Sequence, residues 1–215
     1  MAKQTNWTDD YWVLLLQLYL HKPEGVKPKY SRQMVELSME LHIHPDELHK
    51  RMKQLDNVSQ PSLVRLWETY AWNPRKLSRV SSLLRQMHGF GNSDSFYDGV
   101  ETTETFEQDF KRLSAEPQLK PVMLVLILEL YFRLTLVTMV SDTPEVQELA
   151  RLLKIRPSLV VDVLDAFQGC DPFINQHEMT FSSLTTDCMK IWQRYANMPQ
   201  NKLIAYAEEL KAYFK

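Results

Sequence analysis

MVELSMELHIHPDELHKRMKQL (residues 34–55) decides the fold, because the chain repeats its pattern as VQELARLLKIRPSLVVDVLDAF at 146–167. Adding 112 to a residue number carries Leu37 to Leu149, Leu41 to Leu153, Ile43 to Ile155, Pro45 to Pro157 and Leu48 to Val160. The same offset lays VLLLQLYL (13–20) on VLILELYF (125–132) with Val, Leu, Leu, Leu and Tyr in register. Agreement over two separate stretches argues for an internal duplication. Within each copy the apolar residues recur at helical spacing. Pro45 and Pro157 stand where a second helix would begin, a position whose amide hydrogen goes unpaired in any case. Each copy therefore reads as two short helices joined by a tight turn. The expected fold is all-α, two tandem helical repeats that each contain a helix-turn-helix-like pair.

The flanking sequence fits this reading. Thr8 is placed to cap a first helix whose Trp12, Leu15, Leu16 and Tyr19 face one way, and HKPEGVKPKY (21–30) is a loop before the capping residue Ser31. Met34, Leu37 and Leu41 share one helical face, and Leu48, Met52 and Leu55 another. Pro61, Pro74, Pro121, Pro144 and Pro199 each precede a further helical run, with Asn73 and Thr143 as caps. LWETYAWNP (66–74) aligns with IWQRYANMP (191–199), which pairs Trp67 with Trp192 as core residues. The offset there is 125, so the second copy carries an insertion around 171–181. Both copies end in an amphipathic helix, with Leu77, Val80 and Leu84 in one and Leu203, Tyr206 and Leu210 in the other. The boundaries are a first repeat over 1–92, an acidic linker over 93–117 and a second repeat over 118–215. Phe106 and Phe110 can anchor a short helix late in the linker. Its carboxylates invite two readings, a solvated face or a mask for a basic surface.

Composition narrows the function. A formal net charge of −2 over 215 residues leaves no general basic excess, so any nucleic-acid surface must be local. Cys170 and Cys188 form no CxxC pair and no secretory framework, and they read as reduced, buried thiols. The opening MAKQTNWTDD lacks a signal-peptide core, and the apolar run 122–132 is interrupted by Glu129 and ends at Arg133, too early to span a bilayer. A cytoplasmic protein without membrane attachment is expected. No GxSxG, P-loop or dinucleotide fingerprint occurs, so neither an enzyme, a cofactor nor a small-molecule substrate is expected.

The candidate site residues follow from the helix-turn-helix reading. Its first helix needs a small residue at the crossing, Ser38 or Ala150, and its turn an apolar plug, Ile43 or Ile155. Where such turns ordinarily place a glycine for its positive φ, this chain has His42 and Lys154. A second helix entering a major groove would present His49, Lys50 and Lys53, with Arg51 beside them, as its nucleic-acid-binding residues. In the second copy the same positions hold Val161, Asp162 and Asp165, which repel phosphate and serve instead as candidate partner-binding residues. Lys22, Lys27, Lys29, Arg75, Lys76, Arg79 and Arg85 add a basic bias to the first half. Asp46 and Glu47 fall in the first turn, where they favour the helix dipole. His42, His44 and His49 lack the spacing of one helical face, so no metal site is expected. Two functions remain, DNA binding through the first repeat and protein–protein adaptor work through the second.

NWTDDYWVLLLQLYL in the first half, and TPEVQELARLLKIRPSLV, CDP (170–172) and IWQRY in the second, carry a family resemblance. Each half resembles the helical N-terminal module that precedes the nuclease domain in bacterial HNH-type restriction endonucleases. The resemblance implies a DNA-directed or regulatory module of bacterial type. It does not imply nuclease activity, because the HNH half with its histidines, asparagine and zinc-binding CxxC pairs has no counterpart in this sequence.

Overall fold

The computed structural model describes residues 7–87, 90, 106–174 and 183–215, and among them every regular element is helical. The chain divides into two compact units, residues 1–103 and 104–215.

The first unit contains α1 (Asp9–Leu20), α2 (Arg32–Leu41), α3 (Pro45–Lys53), α4 (Pro61–Tyr70) and α5 (Pro74–Gln86). Helix α1 is its hub: it buries Trp12 to Leu16 without a break, and α2, α3 and α5 all pack on it. Met34, Leu37 and Leu41 of α2 and Leu48 and Met52 of α3 close the core with Leu55, as their spacing predicts. Each such side chain contributes about 1.5–3 kcal/mol by leaving water.

Ser38 sits fully buried, and its hydroxyl makes no hydrogen bond. Ser38→Ala is therefore expected to raise the stability of this unit by about 1 kcal/mol, since it removes an unsatisfied buried group and favours helix. Chemical denaturation measures this directly, and a loss of stability would show that the hydroxyl has a partner.

The second unit contains α6 (Phe106–Phe110), α7 (Pro121–Tyr131), a 3-10 turn (Leu136–Thr138), α8 (Pro144–Leu153), α9 (Pro157–Cys170), α10 (Ser183–Tyr195) and α11 (Gln200–Lys211). Helix α7 is buried from Val122 to Tyr131 because α6, α8, α9, α10 and α11 all pack against it. Its eleven residues reach about 16 Å. No described helix is long and apolar enough to cross a membrane.

Several expectations change. The short helix at Phe106–Phe110 does form, but with Phe110 buried and α6 against α7 it belongs to the second unit rather than to a linker. Asp109 there receives both Nη1 and Nη2 of Arg194, at 2.7 and 3.0 Å, so this part of the acidic run holds its own unit together. Residues 93–105 of the expected linker and 175–181 of the expected insertion lie outside the described residues. Ser31 and Asn73 cap through their side chains, whereas Thr8 and Thr143 occupy cap positions without such a bond. The Thr143 hydroxyl donates instead to the Thr138 carbonyl at 2.6 Å. Pro199 is a cap residue rather than the first residue of α11, one step out of register with Pro74.

Candidate nucleic-acid interface

The turn between α2 and α3 is set by one residue. His42 adopts φ 53°, ψ 35°, the left-handed region, and its N–H donates to Met39 O (3.4 Å) while Ile43 N–H donates to Ser38 O (3.0 Å). These two bonds are the pair that ends a helix in a Schellman motif, normally on glycine. Between α8 and α9, Lys154 adopts φ 58°, ψ 41°, with Lys154 N–H to Arg151 O (3.2 Å) and Ile155 N–H to Ala150 O (3.1 Å). His42 and Lys154 are the non-glycine residues of positive φ among the described residues. A side chain in that region costs about 1–2 kcal/mol, so packing on both sides of each turn must hold it.

Next, α3 begins with Pro45 after His44, whose Nδ1 accepts from Asp46 N–H at 3.2 Å. The two carboxylates of this first turn are both engaged by cations. Lys29 Nζ lies 2.9 Å from Asp46, and Arg51 Nε lies 3.0 Å from Glu47. Burial works to raise the Asp46 carboxyl, but the Lys29 ammonium and neighbouring His44 and Lys50 hold it below the usual carboxylate range.

Of the four residues expected to face nucleic acid, Lys50 and Lys53 are exposed. His49 is not outward-facing as expected: it is half-buried beside the 21–30 loop, with Nδ1 enclosed and without a hydrogen-bond partner. Burial, reinforced by Lys53, lowers its pKa in spite of a hydrogen bond to the Lys27 backbone, so the ring is neutral at neutral pH. Arg51 is half-buried as well, because its guanidinium lies over the Trp7 ring (4.9 Å) in addition to pairing with Glu47. Lys27 leaves the basic surface altogether: it is 5% exposed, and its ammonium donates to the carbonyls of Tyr19, His21 and Pro23 at the end of α1. Arg85 is bound bidentately by Glu40 at 2.6 and 3.1 Å.

No family model, curated protein or solved structure matches the chain significantly.

In the second unit, Asp162 and Asp165 are exposed on α9, and Val161 is half-buried instead of bare. Burial and the Asp162 charge raise the Asp165 carboxyl, which accepts from Gln168 Nε2 at 3.1 Å. Ile155 is half-buried too, at the edge of a shallow groove with Gln147, Arg151 and Pro157, whereas Ile43 is fully enclosed. The most exposed large apolar side chains among the described residues of this unit lie elsewhere: Leu136 (53% exposed), Val137 (87%) and Val140 (48%) around the 3-10 turn, and Phe173 (95%) after α9. The sequence signal for them was slight, a TLVTMV run whose apolar spacing fits neither helix nor strand.

Cys170 and Cys188 are buried thiols, and burial pushes Cys170 up to about 11, so neither is poised as a nucleophile. No group of three metal-ligating side chains comes together among the described residues.

Proposed function

We propose that the chain is a tandem duplication of a helix-turn-helix module, and that its first module binds double-stranded DNA without cleaving it. The duplication is supported by helix bounds: α2 and α8 stand 112 residues apart at both ends. Further support comes from the left-handed turn residues His42 and Lys154, also 112 apart, which carry the same pair of turn hydrogen bonds. The hubs agree as well. Tyr19 of α1 meets Trp67 edge-on at 5.8 Å and donates to Asp56 at 2.7 Å. Tyr131 of α7 meets Trp192 edge-on at 5.8 Å and donates to Asp171 at 2.9 Å. Trp67 and Trp192 are thus half-buried lids on a central tyrosine rather than core residues.

One observation carries the DNA reading: α3 leaves Lys50 and Lys53 exposed while Lys29 and Arg51 neutralise the carboxylates at its leading end. That removes the main obstacle to a phosphate backbone approaching the helix. The resemblance to the helical module of HNH-type endonucleases points the same way. Fluorescence anisotropy with a labelled duplex tests it. Lys50→Ala with Lys53→Ala is expected to weaken binding and to reduce the slope of log affinity against log salt by about 0.9 for each phosphate no longer neutralised. An unchanged slope would remove α3 from the interface.

A second reading, a protein-interaction adaptor, is favoured by the exposed Leu136, Val137, Val140 and Phe173 of the second unit. Asp162 and Asp165 make α9 a poor phosphate ligand, so the two units divide the work in this reading.

A further inference from the structure

The longest stretch of the first unit without negative charge is neither α3 nor its turn. From Thr69 to Ser93 the chain has no Asp or Glu, and it carries Arg75, Lys76, Arg79 and Arg85. Helix α5 occupies the middle of this stretch and packs on α1 through Leu77, Ser81 and Leu84. Its opposite side presents Arg75, Arg79, Ser82 and Gln86, all exposed and spaced four, three and four residues apart. That spacing makes one continuous stripe along a helix. Two guanidiniums at the N-terminal end are followed by Ser82, whose hydroxyl donates to the Ser78 carbonyl at 2.9 Å and keeps its oxygen as an acceptor, and by Gln86, whose amide both donates and accepts, with no carboxylate among them. The counterpart α11 has Glu208 and Glu209 exposed on its outer side, so the feature belongs to the first unit alone.

We infer that α5 lies in the major groove of a DNA duplex and is the base-facing helix of the first unit, with Arg75 and Arg79 on phosphates or guanine edges and Ser82 and Gln86 on base edges. This rests on the reading that the unit binds DNA, and it reassigns the principal contact from α3 to α5. The chemistry fits the occupant. Arginine pairs bidentately with guanine O6 and N7, and glutamine with adenine N6 and N7. From Arg75 to Gln86 the stripe is about 16 Å long, enough to follow a groove about 12 Å wide over four to five base pairs. Helix α3, by contrast, offers two exposed lysines, and its Arg51 is taken up in pairing with Glu47. Lysines of that kind suit the flanking backbone, where they position a protein without reading sequence. Trp72, three residues before Arg75 in the turn that precedes α5, is 84% exposed and leaves an aromatic face open beside the stripe.

The test is anisotropy on the full chain with a random-sequence duplex of about 20 base pairs, at about 50 and 150 mM salt. The variants are Arg75→Ala/Arg79→Ala, its conservative form Arg75→Gln/Arg79→Gln, and Lys50→Ala/Lys53→Ala. Circular dichroism checks that each keeps wild-type helix content. Loss of both arginines is expected to lower affinity at least about tenfold and to flatten the salt slope by about 0.9 per phosphate, more than loss of both lysines does. The glutamine form, which keeps the helix but not the charge, is expected to lose as much, so a folding defect in the alanine form does not decide the result. If both arginine variants bind as wild type while the lysine variant is weakened, the α5 assignment is overturned and the α3 reading stands. Absence of wild-type binding at the lower salt overturns both. A single strand competing as well as the duplex also overturns the groove assignment.

Discussion

Phe167→Ala is expected to destabilise the second unit by about 3–5 kcal/mol, a large effect for a single truncation. Phe167 is fully buried in α9, and its ring centroid lies 6.2 Å from Tyr131 and 6.3 Å from Trp192. Removing the ring costs its transfer energy, and the cavity left behind cannot collapse easily, because Tyr131 is held by its bond to Asp171 and Trp192 packs against both Tyr131 and Phe132. Amide hydrogen exchange is the appropriate readout, since it assigns the loss to particular helices. Protection should fall together in α7, α9 and α10. Phe167→Leu, which keeps most of the volume, should lose markedly less. Equal losses for the two variants would mean that aromatic stacking, and not cavity formation, sets the cost.

Much of this architecture was legible because it is written in punctuation. Pro45, Pro61, Pro74, Pro121, Pro144 and Pro157 each occupy the first turn of a helix. A missing amide hydrogen forbids most other places in a helix, so proline marks a helix start almost regardless of context. The turn residues were legible in a different way. Nothing in His42 or Lys154 alone announces a positive φ, but their matched position in two aligned segments does, once a glycine is expected there.

The candidate site was harder to read. Whether Lys27, His49 and Arg51 face water depends on the 21–30 loop and on Trp7, which lie far from α3 in sequence. A lysine that ends by satisfying the carbonyls of Tyr19, His21 and Pro23 is indistinguishable, in sequence, from one that binds phosphate. Helical periodicity located the inner face of α5 through Leu77, Val80 and Leu84 but not its outer stripe, whose significance lies in an absence, the lack of any carboxylate over 69–93. The exposed Leu136, Val137 and Val140 escaped because a 3-10 turn of three residues is too short to carry a period.

Arg133→Met should cost the second unit about 2–3 kcal/mol, although its side chain is nearly half exposed. The reason is its partner. Glu129 is 5% exposed within α7, a helix otherwise apolar from Val122 to Tyr131, and its Oε1 lies 2.7 Å from Arg133 Nε one turn later. With the guanidinium gone, a carboxylate remains enclosed by apolar side chains, and the cost is the desolvation of that unpaired charge rather than the strength of the ion pair itself. The expected figure lies below that of a wholly buried pair, because solvent already screens the arginine. Two companion variants separate these effects. Glu129→Met removes the enclosed charge and leaves an arginine free to turn to water, so it should cost far less than Arg133→Met. The double variant Glu129→Met/Arg133→Met should approach or exceed wild-type stability, as replacing ion pairs by well-packed apolar residues often does. Urea denaturation followed by circular dichroism gives all three values, and their non-additivity is the coupling energy of the pair. A loss below about 0.5 kcal/mol for Arg133→Met would place this pair with ordinary surface salt bridges, and would require that water or a polar group reach Glu129 inside the second unit.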